Sequence, residues 1–318
     1  MAEGSIYKGL LRGADPNKES SAESLRFPVA QDVLHSLRES GDLEKILAEQ
    51  PEWEERNVET IAADALHEMT ILETAANEKG RWNTITPETA RKIKRIIVFA
   101  APGTYAQPFK NDRWREHPWA WGMDRYRDDR AARLAIALAG IDSGENFLAF
   151  DSYELLDANG AHKDVRERAK QAVENADRRL VYVGNKAEVD GVTSALNSPL
   201  AFIPKEKVDI VTNAKMDNTI DNTMALREYL QGCADLQNGD DIVFVAHGPQ
   251  LVRIAGMLKH FKAVPEGINS IFEPLPIPRL GNRYPLMETR GIVAYSAEGR
   301  SSPKSCDYSI LGVTSDQP

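Results

Sequence analysis

Two cysteines in 318 residues, Cys233 and Cys306, stand far apart and without a CxxC spacing, which excludes a disulfide framework and a zinc ribbon. No apolar run approaches the roughly 18 residues that a membrane-spanning helix needs. The opening MAEGSIYKGLLRGADPNKESS has no positive segment followed by a sustained apolar core, so it does not read as a secretory signal. These absences describe a soluble protein of a reducing cytoplasm. A basic stripe is missing too: residues 1–94 hold 18 Asp and Glu against 12 Lys and Arg, and the remainder 30 against 27. A nucleic-acid backbone is held by clustered Lys and Arg, so it is not an expected partner, whereas a nucleotide-sized ligand remains open. GxxxxGK[ST], GxGxxG and GxSxG do not occur, and HEMTI (His67 to Ile71) lacks the second histidine of HExxH. P-loop, dinucleotide-fingerprint, serine-hydrolase and zincin chemistry fall away, and no metal site is expected.

What is present is a chain with 42% hydrophobic residues, enough for a real core. Residues 1–24 are polar and read as an arm. From Phe27 to about Lys79, apolar residues recur at three- and four-residue steps: Val29, Val33, Leu34 and Leu37, then Ile61, Ala65, Leu66, Met69 and Leu72. This predicts amphipathic helices and a helical N-terminal extension, residues 1–93. At Lys94 the register changes. IIVFAAPG, NFLAF, LVYVG, VDIVT and DIVFVAHG are short apolar strands separated by helical segments at about 119–139, 165–176, 187–196, 218–230 and 250–261. Continuous apolar strands alternating with helices predict an α/β domain over 94–318, a three-layer, Rossmann-like, mostly parallel sheet with helices on both faces. FEPLPIPRLGNRYPL reads as an irregular connection. GIVAYS (291–296) and YSILGV (308–313) read as two last strands, antiparallel to each other if their short linker turns back.

Ligands of such sheets bind beyond the carboxyl ends of the strands. The residues to watch are therefore Gly103 and Thr104, Asp151, Gly184 with Glu188, Asn218 through Asn222, and His247 with Gln250 and Arg253. Capping alone also places small polar residues at such points. The stretch DNTIDNTMAL sharpens the distinction: one residue suffices to cap a helix, and Asn222 stands one turn beyond Asn218 on the same face. His247 is open to three readings, a reactive base or nucleophile, a polar ligand contact, and a buried structural histidine. Arg253, on the first turns of a helix, either holds an anion or pairs with an acid; Glu188 either contacts ligand or simply favours a helix start. The aromatic and charged loop Pro108 to Arg133 is a lid or a packing seam, with Arg125 and Arg130 undecided.

VAHG around His247 resembles the second histidine segment of the histidine phosphatases, but the first strand ends AAPGTY without their Arg-His-Gly. A longer resemblance runs from about Arg95 to Phe261. RLAIAL with Arg133, VYVGNKAE with Gly184 and Glu188, NTIDN with Asn218, Thr219 and Asn222, and QLVRIA with Gln250 and Arg253 follow the order of the bacterial SanA/ElyC/YdcF-like domain family. Asp221 stands where that family has Glu, Gln250 where many members have His, and 146–178 reads as an inserted strand and helix. Without an anchor the chain is most similar to the soluble YdcF type, which implies binding of S-adenosylmethionine. On that resemblance, Asn218, Thr219 and Asn222 contact polar ligand edges, Arg253 neutralises an anionic group, Glu188 accepts from hydroxyl or amino groups, and Gly103 and Gly184 allow close backbone approach.

The expectation is a cytoplasmic protein that binds a nucleoside-containing small molecule, S-adenosylmethionine first, at the carboxyl edge of the sheet, with group transfer as the chemistry if there is any. Catalytic candidates are His247 and Glu188. The rivals are a phosphomonoester or nucleotide hydrolase using His247 with Arg253, and a non-catalytic module whose acidic arm recruits a protein.

Overall fold

A computed structural model describes residues 27–99, 120–149, 162–184, 203–212, 216, 218–277, 283–301 and 309–313. The α-helices are, in chain order, α1 (Ala30–Glu39), α2 (Asp42–Glu49), α3 (Glu55–Asn77), α4 (Pro87–Lys92), α5 (Ala120–Ser143), α6 (Lys163–Asn175), α7 (Thr219–Gln231), α8 (Gly248–Phe261) and α9 (Arg283–Ala297). The strands are β1 (Ile93–Phe99), β2 (Arg179–Val183), β3 (Val208–Val211), β4 (Asp241–His247), β5 (Asn269–Leu275) and β6 (Ser309–Ile310). These residues form two compact units that interleave along the chain. A sheet unit takes 78–246, 264–275 and 309–313, and a helical unit takes 27–77, 247–263 and 276–301.

The six strands of the sheet unit form one all-parallel sheet in the order β3-β2-β1-β4-β5-β6. Ile96 sits opposite Leu180 of β2 and Val243 of β4, so the central strands are covered on both sides and read as unbroken apolar runs. One face, with Ile96, Val98, Leu180, Tyr182, Val243 and Val245, packs on Ala131, Leu134 and Leu138 of α5 and on Ala169 and Val173 of α6. The alternate residues Ile97, Phe99, Val181, Val183 and Phe244 are buried as well, and α7 lies against β2 and β3. Each such aliphatic side chain contributes on the order of 2 kcal/mol of burial energy. The α/β architecture expected from the sequence is the one observed.

Three elements differ from expectation. NFLAF is not a strand: Phe147–Ala149 is a 3-10 turn. Its Phe147 ring folds back on Gly140 of α5, where an added Cβ would meet the ring at 2.8 Å and the Glu145 carbonyl at 2.7 Å. GIVAYS is not a strand but lies inside α9. Ile292, Val293, Ala294 and Tyr295 are all buried in succession, so this helix segment has no polar face to reveal its period. β5 overlaps the start of the stretch read as irregular, and β6 pairs with it in parallel, in place of the antiparallel pair expected of GIVAYS and YSILGV.

Pro274 inside β5 explains that miss, because proline normally argues against an internal strand. Ile271 and Phe272 pair with Ser309 and Ile310, and the Leu311 N–H donates to the Phe272 carbonyl at 3.0 Å. Continuing that ladder by one step, residue 274 would donate to the Leu311 carbonyl. Proline has no N–H to give, and the Arg81 guanidinium donates to that carbonyl in its place. Gly312 follows with φ +75°, its Cα against the Arg81 backbone, so that a Cβ would stand 2.4 Å from the Arg81 carbonyl oxygen. Arg81 also reaches Glu273 at 3.0 Å, and Arg130 of α5 meets the same carboxylate oxygen with Nε at 2.9 Å. The Arg130 guanidinium lies 4.0 Å from the centroid of Trp82. Arg130, undecided from sequence, is thus spoken for by a buried ion cluster.

In the helical unit α3 packs on α1, α8 and α9. Val33, Leu37, Met69 and Leu72, which the helical period singled out, are fully buried there, and so is Val58; Val29, named with them, is 41% exposed just before α1. Arg290 of α9 donates to Ser36 at 2.8 Å, to Ser40 at 2.9 Å and to Asp42 at 3.1 Å, which ties α9 to the α1–α2 corner.

Candidate functional site

In the sheet unit, strand order reverses between β1 and β4, the point beyond whose carboxyl ends doubly wound sheets open a crevice. The described residues at this edge are Gly184 after β2 and the start of α7 after β3. Gly184 extends the ladder, its N–H donating to the Val211 carbonyl at 3.1 Å. Asn218 is the N-cap of α7: its backbone is extended and its side-chain oxygen accepts from Ile220 N–H at 2.8 Å and Asp221 N–H at 3.0 Å. Thr223 donates to the Thr219 carbonyl at 2.7 Å, one turn back. Asn222 does something different. It is only 7% exposed as a residue, but its carboxamide makes no hydrogen bond to any described residue and its polar atoms are not closed off from solvent. The carboxamide is thus available to bond a ligand at this edge.

The opposite edge of the same sheet is a closed network. Arg95 of β1, 3% exposed, makes a two-pronged bond to Asp235 at 2.7 and 2.8 Å and reaches the Tyr229 hydroxyl at 3.3 Å. Tyr229 donates to Asp209, which Arg179 also holds. Burial pushes the Asp209 carboxyl up, but hydrogen bonds from Arg179 and Tyr229 outweigh it and bring it below its usual range. The hydrogen bond from Arg95 lowers Asp235, and the one from Lys94 lowers Asp177.

The helical unit receives the remaining candidates. His247 ends β4 and precedes α8, and its Nδ1 lies 2.9 Å from the Pro276 carbonyl. A carbonyl only accepts, so Nδ1 carries a proton and donates it to Pro276, and the ring is held by that bond. The N–H of the same peptide, at Ile277, donates to Glu73 of α3 at 2.9 Å. Burial raises the Glu73 carboxyl against that bond and one from Asn77. His247 meets the Tyr284 ring edge-on at a centroid distance of 6.1 Å. Arg253 pairs with Glu288 of α9 through Nε at 2.7 Å and Nη2 at 3.2 Å, both side chains buried. Gln250 is 4% exposed, with its Oε1 wholly covered and no hydrogen-bond partner among the described residues.

Gly103, Thr104, Asp151 and Glu188 lie outside the described residues, as do the side chain of Arg125 and the expected helix at 187–196. Among the described residues no group of three or more His, Cys, Asp and Glu is placed to hold a metal ion, and no helix is long and apolar enough to cross a membrane. The sequence reading missed Glu73, Glu273 and Glu288. Their partners are Ile277, Arg81 and Arg253, and the Arg81–Glu273 pair spans 192 residues, a separation that carries no local signal. Compared with protein-family models, with curated proteins and with solved structures, the chain matches none.

Proposed function

We propose that this chain binds a nucleoside-containing small molecule at the carboxyl edge of its parallel sheet, with S-adenosylmethionine as the first candidate and group transfer as the chemistry it would serve. The observation that carries the reading is Asn222, one turn into the helix that follows β3, a largely covered residue whose carboxamide makes no hydrogen bond to a described residue and stays accessible. A carboxamide offers a donor and an acceptor side by side, which matches the adjacent donor and acceptor on the edge of adenine. Strand order supports it by fold-level analogy, since sheets wound in this order bind nucleotides at their carboxyl edge. Asn218 is occupied with capping, so Asn222 takes the larger share of the recognition.

Titration calorimetry of the full chain with S-adenosylmethionine and with adenosine tests this reading. Binding of both, weakened at least tenfold in Asn222→Ala, supports it; no heat from either ligand removes it. A second reading, phosphomonoester hydrolysis, draws on the locked ring of His247, whose Nδ1 proton is held by Pro276. Turnover of p-nitrophenyl phosphate that vanishes in His247→Asn would favour it over the first.

A further inference from the structure

The start of α8 poses an accounting problem within the helical unit. The first N–H groups of an α-helix have no intrahelical acceptors. α8 has no side-chain cap, and Gly248, Pro249, Gln250 and Leu251 are all buried. Pro249 removes one donor by lacking an N–H, and the Leu251 N–H, one turn past the N-cap His247, belongs to the helix's own ladder, which leaves those of Gly248 and Gln250. Gln250, the third residue of the helix, is placed to reach back over this end, because helical side chains lean toward their own N-terminus. It does not cap the helix: its Oε1 is covered and has no partner among the described residues. Two helix-start donors and a covered carboxamide oxygen are therefore open at the same end of α8.

A second helix begins beside the first. Tyr284, the second residue of α9, has its ring against His247, the residue before α8. One turn further in, Arg253 of α8 and Glu288 of α9 pair and fix the two helices to each other. That pair is neutral as a whole, and neither helix has an acidic residue in its first turn. Two positive helix ends thus converge on a buried spot without a neutralising carboxylate of their own.

We infer that the paired starts of α8 and α9 form an oxyanion site that takes the phosphoryl group of a small molecule, held by the first N–H groups of α8 and by the carboxamide of Gln250. A phosphoryl group fits both ends of the carboxamide: its charged oxygens accept from Nε2, and its P–OH, partly protonated near neutral pH, donates to Oε1. A carboxylate satisfies only the first. The site lies wholly in the helical unit and stands or falls apart from the nucleoside reading, which uncharged adenosine tests.

Inorganic phosphate is titrated into the full-length wild type and Gln250→Leu, following the backbone amide resonances of Gly248 and Gln250 and the melting temperature. In the wild type those amides shift and the melting temperature rises, while acetate at the same ionic strength does neither. In Gln250→Leu phosphate affinity falls at least tenfold, and the ligand-free variant melts at or above the wild-type temperature, because an unbonded polar group has been replaced by an apolar one. Gln250→Glu, whose charge a helix start tolerates, folds and also loses the phosphate response. Silence of the wild type toward phosphate, an equal response to acetate, a wild-type response in Gln250→Leu, or a lower melting temperature of ligand-free Gln250→Leu would each overturn the assignment.

Discussion

The two ends of the strands in the sheet unit treat buried polar groups in opposite ways. At the amino ends, Arg95, Arg179, Asp209, Tyr229 and Asp235 bond to one another in an unbroken chain. At the carboxyl ends, Asn222 is a largely covered residue whose carboxamide is bonded to nothing described and stays accessible. The polar groups of the first end satisfy one another and hold strands and helix together, whereas the carboxamide at the second is left available.

Removing Arg95 tests the closed end and gives the largest effect. Arg95→Ala is expected to lower stability by about 2–3 kcal/mol in urea unfolding; Asp235 is exposed enough to rehydrate, which keeps the loss below that of a fully buried pair. Nucleoside binding should survive at concentrations where the fold persists. Tyr229→Phe removes two hydrogen bonds of the chain, a long one from Arg95 and one to Asp209, and should lower stability by about 1–2 kcal/mol. The reverse is expected at the open end. Asn222→Ala should stay within about 0.5 kcal/mol of wild type in the same unfolding assay, since no bond is lost, while losing the ligand. If it unfolds as readily as Arg95→Ala, the two ends do not differ as described.

The finest test is in acid. Asp235, Asp177 and Asp209 are held below their ordinary range by their partners, so the stability they contribute is present above the unfolded-state value near 4 and is lost as pH falls through their lower folded values. Asp241, raised by burial, acts in the opposite sense on the other side of that value: its destabilisation is present above its folded pKa and is relieved as pH falls toward about 4. The urea midpoint should therefore fall below about pH 4 in the wild type and fall less steeply in Arg95→Ala, where Asp235 has lost the bond that lowers it. Equal slopes would mean that Arg95 does not set the behaviour of Asp235.

How much of this the sequence showed varies with the element. β1, β2 and β4 were legible because a central strand covered on both faces reads as a nearly unbroken apolar run, β3, half-covered at the sheet edge, through its β-branched residues, and α1 and α3 because one stripe is buried and the other wet. α9 was not, since a helix segment buried all round loses its period. β5 was hidden by Pro274, whose missing N–H is offset by Arg81, a residue almost 200 positions away. In the candidate site, the spacing of Asn218 and Asn222 separated the cap from the open carboxamide in advance. Arg253 was foreseen as either an anion holder or an ion pair, and the acid that pairs with it comes from another helix.

By itself, then, the sequence determined the local facts: the four strands β1 to β4, which helix starts carry excess polarity, and that the chain folds as a parallel α/β sheet with helices before it. Those follow from periodicity and from backbone chemistry within a few residues. Only the tertiary structure decided the strand order, the partners of the buried arginines, and which of several similar polar residues are left unbonded. A hydrogen bond depends on distance in space, and residues such as Arg81 and Glu273, or His247 and Pro276, become neighbours only when the chain has folded.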